Sequence, residues 1–257
     1  MASLFGPASA VWVLHGDAAG LVGGIRALAI QALEPRALAG VNQFSAFADN
    51  PDRRLQETID FVDIVTYGDR EEVLEAVAWV RHLHESVRGI DPVSGLAFGA
   101  NDPELLAFVH DALVASVGLA YRAFHPEASG ELLDAYTGEM RAFAKLMGAD
   151  LGLVPSNFAG CVRLVETWPM ATISDDYRHA LDVLRSLRLE GPLGLVWPAV
   201  IHWVLGSLPT WIRAELGIGE NPAADLAAWV AIKAVGEVGR LLVPPSPRRL
   251  RALGALR

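Results

Sequence analysis

Apolar residues along this chain return at intervals of three and four, with little alternation of period two, so nearly every segment reads as a helix. The spacing predicts helices over 17–33, 36–47, from Asn50-Pro51-Asp52 to about 68, 69–88, 102–124, 129–147, 156–166, 175–187, 193–205, 223–242 and 247–256. Asp17 and Asp69 stand where an N-cap belongs, and Pro103 follows Asp102 at a first helical position. Gly89 is placed to end the helix over 69–88. The run IDPVSGLAFGANDPEL carries turn residues throughout and is expected to be a loop. The stiff connector Val243-Pro244-Pro245-Ser246-Pro247 separates a domain over 1–243 from a tail over 244–257. The expectation is an all-α, single-domain bundle of about eight to ten helices.

Two polar residues interrupt the apolar stripes. His84, in the run HLHESVRG, falls in one column with Val73, Val77, Val80 and Val87, and His110 falls in one column with Leu106, Leu113, Val117 and Phe124. Two facing helices would place both imidazoles in one core. A buried imidazole either has its ring nitrogens hydrogen-bonded or binds something, and both readings stand at this point. His82 points to the other side of its helix and is expected in solvent. Arg54 and Thr58 lie four residues apart on one helical face.

Composition narrows the chemistry. The chain has 257 residues, 52% of them hydrophobic, and a mean hydropathy of +0.31, which suits helices buried around a sizeable cofactor or apolar ligand. A formal net charge of -9 argues against nucleic acid as a partner. Arg248, Arg249 and Arg251 form the one basic cluster, expected to be a solvated tail. The single Cys161 allows no internal disulfide and no C-x-x-C-H attachment of haem, which fits a reducing cytoplasm. The first residues show no signal-peptide pattern. The most membrane-like stretch, 193–212, is interrupted by Pro198, His202 and Pro209, and reads as a core helix ending in a Leu-Pro turn, with peripheral membrane contact left open.

Several active-site patterns are missing. HESVR lacks the second histidine of H-E-x-x-H, no E-x-x-H pair occurs, and there is no G-x-S-x-G elbow, no phosphate-binding G-x-x-x-x-G-K-[ST] loop and no G-x-G-x-x-G. Gly20, Gly23 and Gly24 sit within a helical pattern, where they permit close packing. What survives is an apolar helical chain with inward histidines and arginines on buried faces. Such a chain suits a bundle around a buried haem or apolar cavity: one neutral imidazole ligates iron while arginine pairs with propionates.

The segments QALEP at 31–35, GVNQFS at 40–45, DRRLQET at 52–58, Tyr67-Gly68, HESVRG at 84–89, and ANDPELL at 100–106 leading to His110 are together recognisable by order and spacing. From Phe5 to about Ile218 the chain resembles the helical oxygenase-like family, formerly of unknown function, that includes the latex-clearing rubber oxygenases and the fungal membrane-bound oxygenase of mycophenolate biosynthesis. The resemblance implies a non-covalent haem b with His84 as proximal iron ligand, and Arg54 and Thr58, in an R-x-x-x-T pattern, at the haem or its pocket in a catalytic role. His110 and Arg88 are further implied cofactor contacts. The implied activity is O₂-dependent oxidation of a small or medium apolar substrate. Each residue also has a structural reading: a propionate partner or a helix tie for Arg54, a hydrogen bond to a loop carbonyl for His110, dipole compensation for Arg88. The chain departs from the family at Glu34 and Phe44, where members carry histidine, and at Glu57, where the rubber oxygenases carry lysine, so polyisoprene cleavage is not carried over. The alternative is a non-catalytic helical module binding haem, an apolar ligand or a membrane surface. Substrate, electron donor and oligomeric state are not read from the sequence.

Overall fold

A computed structural model describes residues 3–44, 51–189, 191–242 and 246–254. Among them are thirteen helices and one hairpin: α1 (Ala10–His15), α2 (Ala18–Gln31), α3 (Pro35–Phe44), α4 (Pro51–Tyr67), α5 (Arg70–Ser86), β1 (Arg88–Ile90), β2 (Ala97–Gly99), α6 (Pro103–Phe124), α7 (Gly130–Met147), α8 (Phe158–Glu166), α9 (Asp175–Ser186), α10 (Gly191–Gly206), α11 (Thr210–Glu215), α12 (Pro222–Leu242) and α13 (Pro247–Gly254). The all-α class holds, and the helix number exceeds the expected eight to ten. The excess includes the six-residue α1 and α11, each too short to show a periodic stripe.

Local chemistry sets the helix ends. The Asp17 carboxylate accepts from Ala19 N at 2.8 Å to open α2, and Asp69 forms a reciprocal capping box with Glu72 to open α5. The amides of Ala10 and Val11, opening α1, donate to the Glu139 carboxylate of α7 at 3.2 and 3.0 Å, a negative charge where the helix dipole favours one.

The centre of the bundle is α6, whose buried residues recur around its whole circumference. It is the one described helix long and apolar enough to cross a membrane, and 72% of its apolar window is buried, the pattern of a core helix. α2 lies against it so closely that a Cβ at Gly23 would stand 2.5 Å from Val117 Cα. On its other sides pack α7 and α8. The apolar composition follows from this arrangement, since α6 buries apolar residues on several faces rather than one.

Two local expectations are corrected and a third holds. Gly89 does not end α5; Val87 is its C-cap, and Gly89 pairs with Phe98 in the antiparallel β1–β2 hairpin, within the segment expected to be loop. The Arg248, Arg249 and Arg251 cluster is not a solvated tail. Arg248 pairs with Asp63 at 3.2 Å and Arg251 with Glu72 at 2.7 Å, while the Arg249 guanidinium lies over the Tyr67 ring at 5.5 Å, so α13 is held against α4 and the start of α5. The stretch 193–212 forms α10 and α11 with Val200, Val204, Leu208 and Ile212 buried, and Leu208-Pro209 makes the expected turn.

Candidate functional site

α5 begins inside the bundle, where Val73 and Val77 are buried. Its last turn emerges beside the hairpin and the start of α6, leaving His84 half-buried. A cleft of about 350 Å³ opens there, lined by His84, Arg88, Ala97, Phe98, Gly99, Asn101 and Asp102. Its wall is pinned by short bonds: Ala100 N donates to Val87 O at 2.9 Å, Gly99 N to the Asp102 carboxylate at 2.7 Å, and Asn101 Nδ2 to Arg81 O at 2.9 Å. α3 closes the far side of the hairpin. A Cβ at Gly89 would come within 2.8 Å of Gln43 Oε1 and 3.1 Å of the Phe98 ring, so glycine there allows the close approach.

His84 Nδ1 is buried and has no hydrogen-bond partner. Desolvation, then the nearby Arg54 charge, push the His84 pKa below its ordinary value, against the Asn101 side chain and the Ala100 carbonyl, which favour the protonated ring. The imidazole is therefore held neutral, the form that ligates a metal. Arg54 is exposed and paired with Glu57 at 3.4 Å. Glu57, in the position where the rubber oxygenases carry a lysine, is engaged by Arg53 at 3.0 Å as well. The Thr58 hydroxyl donates to Arg54 O at 3.0 Å within α4, and Arg88 Nε donates to Glu85 O at 2.9 Å.

His110 lies elsewhere. It is 6% exposed in the core, about 12 Å along α6 from Asp102 at the helical rise, and does not line the cleft. The two histidines of the sequence pattern thus occupy different environments. Neither ring nitrogen of His110 has a partner, so the loop-carbonyl bond is absent. Burial, then the Arg141 charge, lowers the His110 pKa to about 4. Its ring tilts against Phe143 at 6.2 Å, which faces Phe61 of α4 at 6.0 Å.

Glu34 is fully buried. It accepts from Arg36 Nε at 2.8 Å and Trp168 Nε1 at 2.6 Å, and so ties the α2–α3 junction to the chain after α8. The Phe44 side chain lies outside the described residues.

Several polar groups were not singled out by the sequence. His15 Nδ1 and Nε2 meet Thr66 Oγ1 and Tyr136 Oη at 2.8 and 2.9 Å. Because Thr66 Oγ1 donates to Val62 O, Nδ1 carries the ring proton and Tyr136 donates to Nε2. Arg26, 2% exposed, donates to Ser116 and Ser207. Asp111, fully buried, accepts from the Cys161 thiol at 3.8 Å through Oδ1 and leaves Oδ2 unpartnered. Polar residues inside apolar helical columns were the available signal for these. A larger cavity, about 710 Å³, lies between α9 and α10 with Arg185, Arg188, Trp197, Pro198 and His202 on its walls. It shares no lining residue with the His84 cleft and gathers none of the family segments.

The cleft joins HESVRG to ANDPELL, with Gly40 and Gln43 packed behind the hairpin. Residues 12–237 match the model of the family described as ER-bound oxygenase mpaB/B'/Rubber oxygenase, catalytic domain. The chain belongs to that family. No curated protein and no solved structure matches it.

Proposed function

With the chain placed among these oxygenases, we propose that it is a b-type haem-dependent oxygenase acting on a small or medium apolar substrate, with His84 as the proximal iron ligand and O₂ as co-substrate. The observation that carries this reading is the His84 imidazole: half-buried, its burial favouring the neutral ring, in a cleft bordered by the family's own segments. Among the described residues no group of three His, Cys, Asp or Glu could hold a metal ion. A metal served by a single imidazole must bring its other ligands with it, as a porphyrin does.

Bound haem supplies the iron that activates O₂. The chain's residues do the rest. His84 donates a neutral ring nitrogen. Arg54 and Arg88 provide positive charge for the propionates, Arg54 sharing its charge with Glu57. Thr58 does not line the cleft, and its hydroxyl, turned to Arg54 O, steadies the helix that carries Arg54. His110 supports the core on the α6 side. Ala97 and Phe98 line the apolar part of the cleft. A cytoplasmic location belongs to the same reading, resting on the lone buried Cys161.

An absorption spectrum of the purified protein, before and after dithionite, tests the proposal. A Soret band that shifts on reduction, and is lost together with iron in His84→Ala, is the expected result. A colourless wild-type protein that retains no hemin through gel filtration and shifts no Soret band on its addition would end the haem reading and favour a non-catalytic module for an apolar ligand or membrane surface.

A further inference from the structure

We propose that Asn101 is the positioning residue of the His84 imidazole: its side-chain oxygen takes the Nδ1 proton, fixes the ring as the Nδ1–H tautomer and leaves Nε2 as the nitrogen with the free lone pair. The role toward iron rests on the haem reading; the tautomer does not.

Two orphaned atoms carry the argument. His84 Nδ1 and Asn101 Oδ1 are both buried, neither has a hydrogen-bond partner, and the two residues line the same cleft. Buried polar atoms without partners are rare, and two on neighbouring side chains with complementary chemistry form a natural pair. The amide's orientation is set independently. Asn101 Nδ2 donates to Arg81 O at 2.9 Å, so a flipped amide would set oxygen against oxygen, and the carbonyl end must be the one left over. Arg81 lies one helical turn before His84, which brings the amide to the histidine's own helix.

The loop holds Asn101 in place from both sides. Ala100 N is bonded to Val87 O, and Asp102, whose carboxylate receives Gly99 N, leads into Pro103 and α6. The residue is thus clamped between the end of α5 and the start of α6. A histidine that ligates through one nitrogen is oriented by the hydrogen bond its other nitrogen makes, and such partners typically change metal affinity about 10- to 100-fold. The Ala100 carbonyl is the competing acceptor on the same wall, and the experiment separates the two.

Full-length protein labelled with ¹⁵N at histidine and free of haem is read by long-range ¹H–¹⁵N correlation above the histidine pKa range, the His84 signals being those missing from His84→Gln. The wild type is expected to show the Nδ1–H tautomer and Asn101→Leu to lose it. A wild-type Nε2–H tautomer, which needs no variant to observe, overturns the proposal, as does an unchanged Nδ1–H signal in folded Asn101→Leu, which assigns the role to the Ala100 carbonyl. In a second measurement, hemin-loaded protein releases hemin to excess apomyoglobin. Release about 10-fold faster from Asn101→Leu is expected, and equal rates overturn the positioning role. A wild type that binds no hemin removes the haem reading, while the tautomer is decided by the first measurement.

Discussion

Asp111 gives this protein an unusual pH term that Asp111→Asn should remove. The carboxyl is fully buried on α6, with one oxygen bonded to the Cys161 thiol and the other without a partner. Desolvation raises its pKa from 3.8 to about 7, outweighing the Cys161 bond and the Arg141 charge, which pull it down. Between those two values the folded chain keeps a proton that the unfolded chain releases. Stability from this group is therefore complete below about pH 4 and lost as pH rises through about 7. At about 1.4 kcal/mol per unit, the loss is on the order of 4 kcal/mol.

The histidines act in the opposite sense. His15 and His110 are both lowered by burial from 6.5 to about 4, so their contribution is present above about 6.5 and lost as pH falls through about 4. The wild-type profile mixes the two effects, and the difference between Asp111→Asn and wild type isolates one of them. Urea unfolding, followed by circular dichroism and tryptophan fluorescence between about pH 4.5 and 8.5, should show the variant gaining on the wild type by roughly 1.4 kcal/mol per pH unit, levelling above 7. A constant difference across that range would mean that Asp111 ionises as it does in the unfolded chain, and the burial argument would fail. A difference of opposite slope would mean that Arg141 holds the carboxylate ionised.

Other substitutions test the packing and the ion pairs. Glu34→Gln breaks the buried pair with Arg36 and weakens the acceptor for Trp168; a loss of about 3 kcal/mol in denaturant midpoint experiments is expected, and a loss below about 1 kcal/mol would show that the existing Arg36–Glu104 pair at 3.4 Å suffices for the guanidinium. Gly23→Ala drives a methyl into Val117 Cα, whereas Gly24→Ala meets nothing within 4 Å. The first should destabilise by about 1–3 kcal/mol or more and the second should be neutral or slightly stabilising, a contrast readable by thermal melts. Arg251 is largely exposed, so Arg251→Ala should cost less than about 1 kcal/mol, and faster hydrogen exchange in α13 at high salt should reproduce its effect in the wild type.

How much of this was legible in the sequence depended on how far apart the interacting residues lie. The N-caps at Asp17 and Asp69 and the proline start at Pro103 are local devices, and the predicted helices start within a residue or two of them. The hairpin escaped because its two strands have three residues each and Gly89 serves a strand as well as it would a helix end. Long-range partners were invisible. Glu34 bonds Trp168 across 134 positions, and Arg251 reaches Glu72 across 179. The inward column of α5 was readable down to His84, but the depth of that column was not. Whether a stripe residue is buried or merely half-covered depends on where the helix leaves the bundle, and periodicity carries no such information.

That last distinction changes how the departures from the family bear on the site. Glu34 and Glu57 replace nitrogen-bearing residues, and by sequence alone each is a lost or altered contact above the cofactor. In the folded chain neither carboxylate is free. Glu34 is locked by Arg36 and Trp168, and Glu57 lies between Arg53 and Arg54, which hold its pKa below the usual range. Each carboxylate is therefore balanced by neighbouring guanidinium groups and adds no unbalanced negative charge. Replacing Glu57 by lysine would remove the carboxylate that Arg53 and Arg54 both reach and add a cation to the same helical face. At that spacing on one helix the like charges repel by a few tenths of a kcal/mol each. Glu57 is thus coupled to Arg53 and Arg54, and its exchange for lysine loses both ion pairs and adds the new repulsion.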